Sequence, residues 1–458
     1  MAAKFGTSGL RGLVTELTAD VVARHVQAFL TSCDTGGVIC LGRDLRPSSP
    51  RIAADITAAA QAAGAQVVDC GALPTPALAL AAQNRGAGAI MVTGSHIPAD
   101  RNGLKFYSRA GEITKADEAA ILAALPAQAV QSPPASPLPE TDKTAQARYA
   151  TRYLDAFGPT ALTGRRIGVY SHSAVGRDAL IALMRDLGAT VMELGRSDTF
   201  IPVDTEAVAP ATRAQIADWV ASHDLDALVS TDGDADRPLL ADETGTIVPG
   251  DIMGQITAEA LGAQTVVTPI SSNSGVMLKG FDRVELTRIG SPYVIAGMEA
   301  LGGRGVGYEA NGGFLLGFEA QGPAGPIAPL MTRDCVLPLL TTLYAASGGP
   351  LSARVAAEPP VTTLADRLQE VPQDLSAPFV ASLADSAAAR AAFLATLDAA
   401  EAACDLTDGV RMTLTDRRVV HIRPSGNAPE LRLYIEAKDP QAAADLLKAG
   451  LDELRRRL

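Results

Sequence analysis

Alanine-rich helical stretches alternate with short β-branched runs for most of the chain's length, the pattern of α/β domains. Val38-Ile39-Cys40-Leu41 reads as a strand, Ser48 to Ala63 as a helix, Gln66-Val67-Val68-Asp69 as the next strand and Ala89-Ile90-Met91-Val92 as another. The Ser/Pro-rich segment from Gln131 to Glu140 cannot continue a helix and marks a first boundary. The pattern restarts at Arg166-Ile167-Gly168-Val169-Tyr170. It predicts a helix from Arg177 to Leu187, a strand from Thr190 to Leu194, a helix from Pro210 to Ser222 and a strand at Ala227-Leu228-Val229-Ser230. A third unit follows, with a strand from Thr265 to Thr268, a helix from Asn273 to Lys279, a strand from Arg283 to Thr287 and a helix from Pro292.

The last stretch has a different rhythm. Val410 to Leu414, Arg418 to Ile422 and Leu431 to Ile435 read as antiparallel strands, and a helix from Pro440 to Arg457 closes the chain. The expectation is three related mixed α/β domains over 1–150, 151–250 and 251–360, then an antiparallel α+β domain over 361–458.

At 458 residues the chain is too long for one ordinary domain, and 47% hydrophobic with 20% charged residues is the balance of a folded protein. The net charge of −12 disfavours nucleic acid and anionic membrane as partners, while leaving room for a local basic pocket. No apolar run of about 18 residues predicts a membrane span, and Met1-Ala2-Ala3-Lys4-Phe5-Gly6 lacks the apolar core of a signal peptide. The five cysteines, Cys33, Cys40, Cys70, Cys335 and Cys404, include no C-x-x-C pair and read as reduced core thiols. The expected location is cytoplasmic.

The strongest chemical signal is Ser230-Thr231-Asp232-Gly233-Asp234-Ala235-Asp236-Arg237, directly after a strand. Carboxylates at alternate positions of an extended loop project to one side and can converge on one hard cation, magnesium or calcium. An EF-hand is a rival, since Glu243 falls at its twelfth position, but Arg237 stands where that loop needs glycine and strands flank the segment. A phosphatase with an aspartyl nucleophile also places Asp-x-Asp after a strand, yet it does not expect a carboxylate at Asp236. A solvated acidic turn is the bland alternative, opposed by the mutual repulsion of three unpaired aspartates.

Thr93-Gly94-Ser95-His96-Ile97-Pro98 follows the strand ending at Val92, where parallel sheets place their ligands. The bland alternative is a turn capping the next element. Gly6-Thr7-Ser8-Gly9-Leu10-Arg11-Gly12 offers a guanidinium on a glycine-rich turn suited to phosphate. Arg423-Pro424-Ser425-Gly426-Asn427-Ala428-Pro429 can form an anion nest. No dinucleotide fingerprint or Walker A sequence occurs.

Together and in this order, these segments resemble the α-D-phosphohexomutase superfamily, of phosphomannomutase/phosphoglucomutase type, from Gly6 to Glu436. The resemblance implies four domains around a central cleft. It implies that Ser95 carries the transferable phosphoryl group, and that Asp232, Asp234 and Asp236 hold Mg2+ with a phosphate oxygen on Ser95. By the same token Arg11 and Arg237 are cations near the phosphoserine, and Lys105 or His96 manages the proton. Glu309 and Asn311, in Gly307-Tyr308-Glu309-Ala310-Asn311-Gly312-Gly313, fall in the sugar-recognition loop. Arg423, Ser425, Gly426 and Asn427 fall in the loop for the non-reacting phosphate.

The implied activity interconverts hexose 1-phosphate and hexose 6-phosphate through a hexose 1,6-bisphosphate, which also serves as activator. Mannose is the expected sugar and glucose the next. Glu309-Ala310-Asn311-Gly312 resembles the loop of N-acetylglucosamine-phosphate mutases as much, so a phosphoglucosamine or N-acetylglucosamine-phosphate mutase is the alternative. The alternatives of another class are a sugar-phosphate phosphatase and a non-catalytic sugar-phosphate-binding relative. The expected partner is a phosphorylated hexose, with neither nucleic acid nor membrane, for a monomer or homodimer. Gly94 and Ile97 depart from the alanine and asparagine common in the serine motif, and Asn427-Ala428 from the threonine and glutamate frequent in the phosphate loop. Ser291 stands where dual-specificity members often carry histidine.

Overall fold

The computed structural model describes residues 3–6, 9–126, 134, 136–424 and 430–458. The chain divides into two compact units, one of Met1–Val266 with Gly290–Val355 and the other of Val267–Ile289 with Ala356–Leu458.

The first unit is mixed α/β. Its N-terminal sheet runs, edge to edge, Lys4–Gly6, Gly9–Leu13, Arg101–Ser108, Gly88–Val92, Val38–Arg43 and Gln66–Ala72. Val38–Arg43 pairs in parallel with both Gln66–Ala72 and Gly88–Val92, and the remaining pairs are antiparallel. Crossovers through the helices Ser49–Ala62 and Thr75–Arg85 permit the parallel pairing. Ile39, Leu41, Ile90 and Val92 meet Val22, Val26, Phe29, Ile52 and Ile56 in a dry core. Pro76 in the first turn and Gly86, left-handed at φ 57°, delimit Thr75–Arg85. That helix is apolar nearly all round because it is buried, so periodicity alone does not reveal it.

A second sheet orders Ile247–Val248, Pro238–Asp242, Ala227–Thr231, Arg166–Tyr170 and Thr190–Leu194. Its last three strands are parallel, while Ala227–Thr231 and Pro238–Asp242 form an antiparallel hairpin. Farther along the unit, Gly305–Tyr308, Phe314–Leu316 and Leu330–Asp334 pair antiparallel. The helices Gly250–Ala260 and Val336–Ala345 pack on each other beside them. Strands and helices predicted from the pattern recur within a residue or two over 38–43, 49–62, 166–194 and 210–231.

The second unit has a five-stranded antiparallel sheet in the order Thr362–Leu368, Leu431–Ala437, Val419–Pro424, Val410–Leu414 and Glu401–Asp405. Its inward residues pack against the helices Gln373–Asp385, Ala387–Ala395 and Pro440–Arg457. One expectation fails here. The predicted helix from Asn273 to Lys279 is a single 3-10 turn, Ser274–Leu278. The Asn273 side chain accepts from Gly275 N–H and donates to Val361 O and Thr363 Oγ1, holding a local turn that competes with a helix.

Candidate active site

The serine turn is built on the carboxyl end of Gly88–Val92. Asp44 accepts from Thr93 Oγ1 at 2.8 Å and Ser49 Oγ at 2.6 Å, and Thr93 Oγ1 in turn accepts from Ser95 N–H at 2.7 Å. Beneath the turn lies Arg46, whose side chain is wholly buried. Its Nη2 donates to Ser95 O at 2.9 Å and Ile97 O at 2.6 Å, its Nη1 to Pro98 O and Arg101 O, and its Nε to Asp44. The guanidinium lies 3.9 Å from the centre of the Phe200 ring. Gly94 is glycine because a Cβ there would stand 2.6 Å from Arg46 Cζ. Ser95 itself is left-handed, at φ 53°, a backbone state that costs a non-glycine residue energy and that the fixed turn enforces.

The aspartate loop joins the hairpin strands Ala227–Thr231 and Pro238–Asp242. It is a tight turn rather than the extended loop the alternation predicts. Asp232 N–H donates to Arg237 O, Asp232 Oδ1 accepts from Asp236 N–H, and Ala235 is left-handed at φ 54°. The carboxylates converge because the chain curls around them, with one oxygen of each of Asp232, Asp234 and Asp236 within 4.8 Å of the others. Gly233 lets the two loops meet, since a Cβ there would lie 2.7 Å from Ser95 O.

Ser95 Oγ donates to Asp232 Oδ2 at 2.6 Å. Thr75, at the start of its helix, donates from Oγ1 to Asp234 Oδ2 at 2.6 Å. Lys105 Nζ reaches Asp234 Oδ2 at 2.6 Å and Asp236 Oδ2 at 2.5 Å. The other oxygens, Asp234 Oδ1 and Asp236 Oδ1, are buried with no hydrogen-bond partner among the described residues. Arg237 Nε stands 3.8 Å from Asp236 Oδ1, beyond hydrogen-bond reach, so both oxygens keep free acceptor capacity, and an all-carboxylate donor set suits a hard divalent ion. The residues therefore fit a metal of the magnesium type.

Burial, then repulsion from Asp234 and Asp236, pushes the Asp232 carboxyl well above the usual range. Asp236 goes the other way, because Arg333, Lys105 and Arg237 overcome the cost of burial. Burial and the adjacent Arg237 lower His96 to about 3. His96 is consequently neutral near pH 7, and its Nδ1 accepts from Arg237 Nη1 at 2.9 Å and lies 3.2 Å from Ser95 Oγ. Arg11 is brought down to about 10 by burial and the positive charges of Arg237 and Arg333, a crowding of cations favourable to a bound anion.

Glu309 and Asn311 lie in the connection between Gly305–Tyr308 and Phe314–Leu316. Asn311 Oδ1 accepts from Gly313 N–H and its backbone carbonyl accepts from Thr205 Oγ1, so this side chain also shapes the loop. Glu309 Oε2 accepts from Arg333 Nη1 at 3.1 Å, and the same guanidinium donates to Asp236 Oδ2. Ser95, His96, Lys105, Arg11, Arg237 and the aspartates thus share one neighbourhood with Glu309. Arg423 belongs to the second unit, where it is the penultimate residue of the strand Val419–Pro424 and pairs through Nε with Asp408 at 3.2 Å. Ser425, Gly426 and Asn427 lie outside the described residues.

Motif reading overlooks Arg46, Thr75 and Arg333. Asp44-Leu45-Arg46-Pro47 between a strand and a helix, and Arg333-Asp334 interrupting an apolar run, are faint signals of buried charge.

Family models for phosphoglucomutase/phosphomannomutase match residues 2–131 (α/β/α domain I), 148–245 (α/β/α domain II) and 376–453 (the C-terminal domain). A phosphomannomutase of Sinorhizobium fredii is 46% identical over 98% of both chains. A phosphoglucosamine mutase of Mycobacterium marinum is 30% identical over 99% of both. A crystal structure of a phosphoglucomutase/phosphomannomutase family protein from Burkholderia thailandensis has the same fold, at TM-score 0.77 and 21% identity, covering 99% of this chain and 96% of its own. With domain models, full-length relatives and fold in agreement, the chain belongs to the α-D-phosphohexomutase superfamily and is a hexose-phosphate mutase of the phosphoglucomutase/phosphomannomutase type.

Proposed function

We propose that this mutase acts on mannose phosphates, interconverting mannose 1-phosphate and mannose 6-phosphate through a phosphoserine at Ser95. The observation that carries the choice of sugar is the 46% identity to a phosphomannomutase against 30% to a phosphoglucosamine mutase, each over nearly the whole chain. Glucose is the second substrate in this reading.

Asp232, Asp234 and Asp236 are assigned to Mg2+, which when bound supplies neutralisation of phosphoryl charge. Phosphoryl transfer needs alignment and charge balance more than covalent chemistry, and the chain's own side chains supply both. Arg237 and Arg11 offset the charge on the phosphoryl oxygens. His96, neutral and already bonded to Arg237, suits the orientation of the serine oxygen, which leaves Lys105 to manage the proton of the attacking hydroxyl. Glu309 and Asn311 are assigned to the sugar hydroxyls, Arg423 with Ser425, Gly426 and Asn427 to the distal phosphate. The product of the first transfer is mannose 1,6-bisphosphate, which turns end for end and returns its other phosphate to Ser95. Gripping the distal phosphate in either orientation positions the reacting end without being consumed by it.

The test is turnover with Mg2+ and a trace of hexose 1,6-bisphosphate, offering the 1-phosphates of mannose, glucose, glucosamine and N-acetylglucosamine in parallel. Conversion of the mannose compound at the highest kcat/KM is expected. Preference for either amino sugar would overturn the substrate and keep the reaction. Stoichiometric release of inorganic phosphate would replace the mutase by a phosphatase.

A further inference from the structure

Arg333 is the penultimate residue of the strand Leu330–Asp334, with its side chain only 3% exposed. Its Nε and Nη2 both donate to Asp236 Oδ2, at 3.1 and 2.9 Å. Its Nη1 donates to Glu309 Oε2 at 3.1 Å and to Ser291 Oγ at 3.2 Å. Ser291 Oγ in turn donates to Glu112 Oε1 at 2.6 Å. One guanidinium therefore holds a carboxylate of the aspartate loop and a carboxylate of the loop between Gly305–Tyr308 and Phe314–Leu316. The second loop is shaped to admit it, because a Cβ on Gly313 would stand 2.7 Å from Arg333 Cδ and 2.8 Å from Cγ.

We propose that Arg333 is a positioning residue that couples the metal loop to the sugar loop, weakening cation binding at Asp236 while aligning Glu309 for the sugar. The sugar half rests on the proposed role of Glu309, and the metal half rests on the aspartates alone. The physics of the two halves has opposite sign. A fixed positive charge on Asp236 Oδ2 repels an incoming divalent ion and competes for the same carboxylate. The same charge fixes the orientation of the Glu309 carboxylate through a charge-assisted hydrogen bond. Residues that only hold a fold together would, on removal, weaken both ligands at once.

The experiment titrates Mg2+ and mannose 1-phosphate by calorimetry into the dephosphorylated full chain, and reads kcat and KM separately on the chain primed with Mg2+ and a trace of hexose 1,6-bisphosphate. Arg333→Met is expected to tighten Mg2+ roughly tenfold and to weaken mannose 1-phosphate roughly tenfold, the weight of one charge-assisted hydrogen bond. Arg333→Lys keeps the charge without the fork. It is expected to bind Mg2+ like the parent and still to show a raised KM. Weakening of both ligands by Arg333→Met, or no change in either, would overturn the coupling. If that variant fails to fold, Arg333→Lys decides alone, and parental KM in it would overturn the proposal. Glu309→Gln separates the two readings. Unchanged sugar affinity in it would overturn the role of Glu309 and the sugar half with it, while the Mg2+ titration of Arg333→Met still judges the metal half.

Discussion

Two buried arginines serve this site, and they are held in opposite ways. Arg46 gives its donors to the backbone carbonyls of Ser95, Ile97, Pro98 and Arg101, and its Nε to the carboxylate of Asp44. Arg333 gives its donors to the carboxylates of Asp236 and Glu309 and to the Ser291 hydroxyl. Carbonyls have no other ligand to bind, so Arg46 fixes a shape. The carboxylates around Arg333 lie where an ion and a sugar are proposed to bind, so its hold is electrostatic and open to competition. One side-chain type thus supplies geometry in the serine turn and charge balance in the sugar loop.

The largest expected effect separates chemistry at the first loop from binding at the second. Ser95→Ala should lower turnover by roughly 10⁴-fold or more while sugar-phosphate affinity stays close to parental. A coupled assay and calorimetry read the two quantities, and turnover surviving in Ser95→Ala would end the phosphoserine reading.

Next comes stability. Arg46→Met strands Asp44 and several buried carbonyls, which should cost about 3–5 kcal/mol of unfolding free energy. Added Mg2+ should not recover the loss. Arg333→Met should also lower Tm, but there Mg2+ takes over part of the neutralisation of Asp236 and restores it. Equal rescue of both variants would erase the contrast.

A smaller effect sharpens it. Gly94→Ala places a methyl group 2.6 Å from Arg46 Cζ and should cost about 1–3 kcal/mol, because Arg46 cannot retreat. In an Arg46→Met background the penalty should shrink, and a double-mutant cycle measures that. Additive costs would mean that Arg46 is not what excludes a side chain at position 94.

An effect of similar size is a pH dependence beneath the aspartate loop. His172 is fully buried, donates from Nε2 to Thr231 O, and is lowered to about 4 by burial. Below its ordinary value of about 6.5 the unfolded chain takes a proton that the folded chain refuses until about 4. Stability present above pH 6.5 is therefore lost as pH falls, and the loss levels off below about 4. Between pH 7 and 5 this amounts to about 2 kcal/mol. Urea unfolding at both pH values should show that difference narrowed in His172→Gln. An unchanged difference would remove His172 as its source.

Legibility in the sequence followed the range of the interactions. Ser95 and the aspartates stand out because each lies in a short motif on a strand end, and strands such as Arg166–Tyr170 because β-branched residues fill them. Thr362–Leu368 escaped because Asp366 and Arg367 sit exposed on an edge strand and break the apolar signal. The turn at Asp232 reads as extended in the sequence because alternation of charge says nothing about the left-handed Ala235. Arg46 and Arg333 were invisible for a different reason. The carbonyls that hold Arg46 lie 49 to 55 residues away and the partners of Arg333 lie 24, 42 and 97 away, so only the folded chain reveals how these charges are held.

The distances along the chain have a further consequence for how the protein comes to be folded. Ser95 and Asp232 are 137 residues apart, Thr75 and Asp234 are 159, and Arg333 follows Asp236 by 97. During synthesis the aspartates emerge well before the Arg333 guanidinium, so until it arrives Lys105 and Arg237 are left to offset the charge of Asp236. Contacts of such long range close late and slowly. The appearance of the metal site is accordingly a clock for the last stage of folding, and a cation that binds only the finished arrangement pulls the equilibrium toward it.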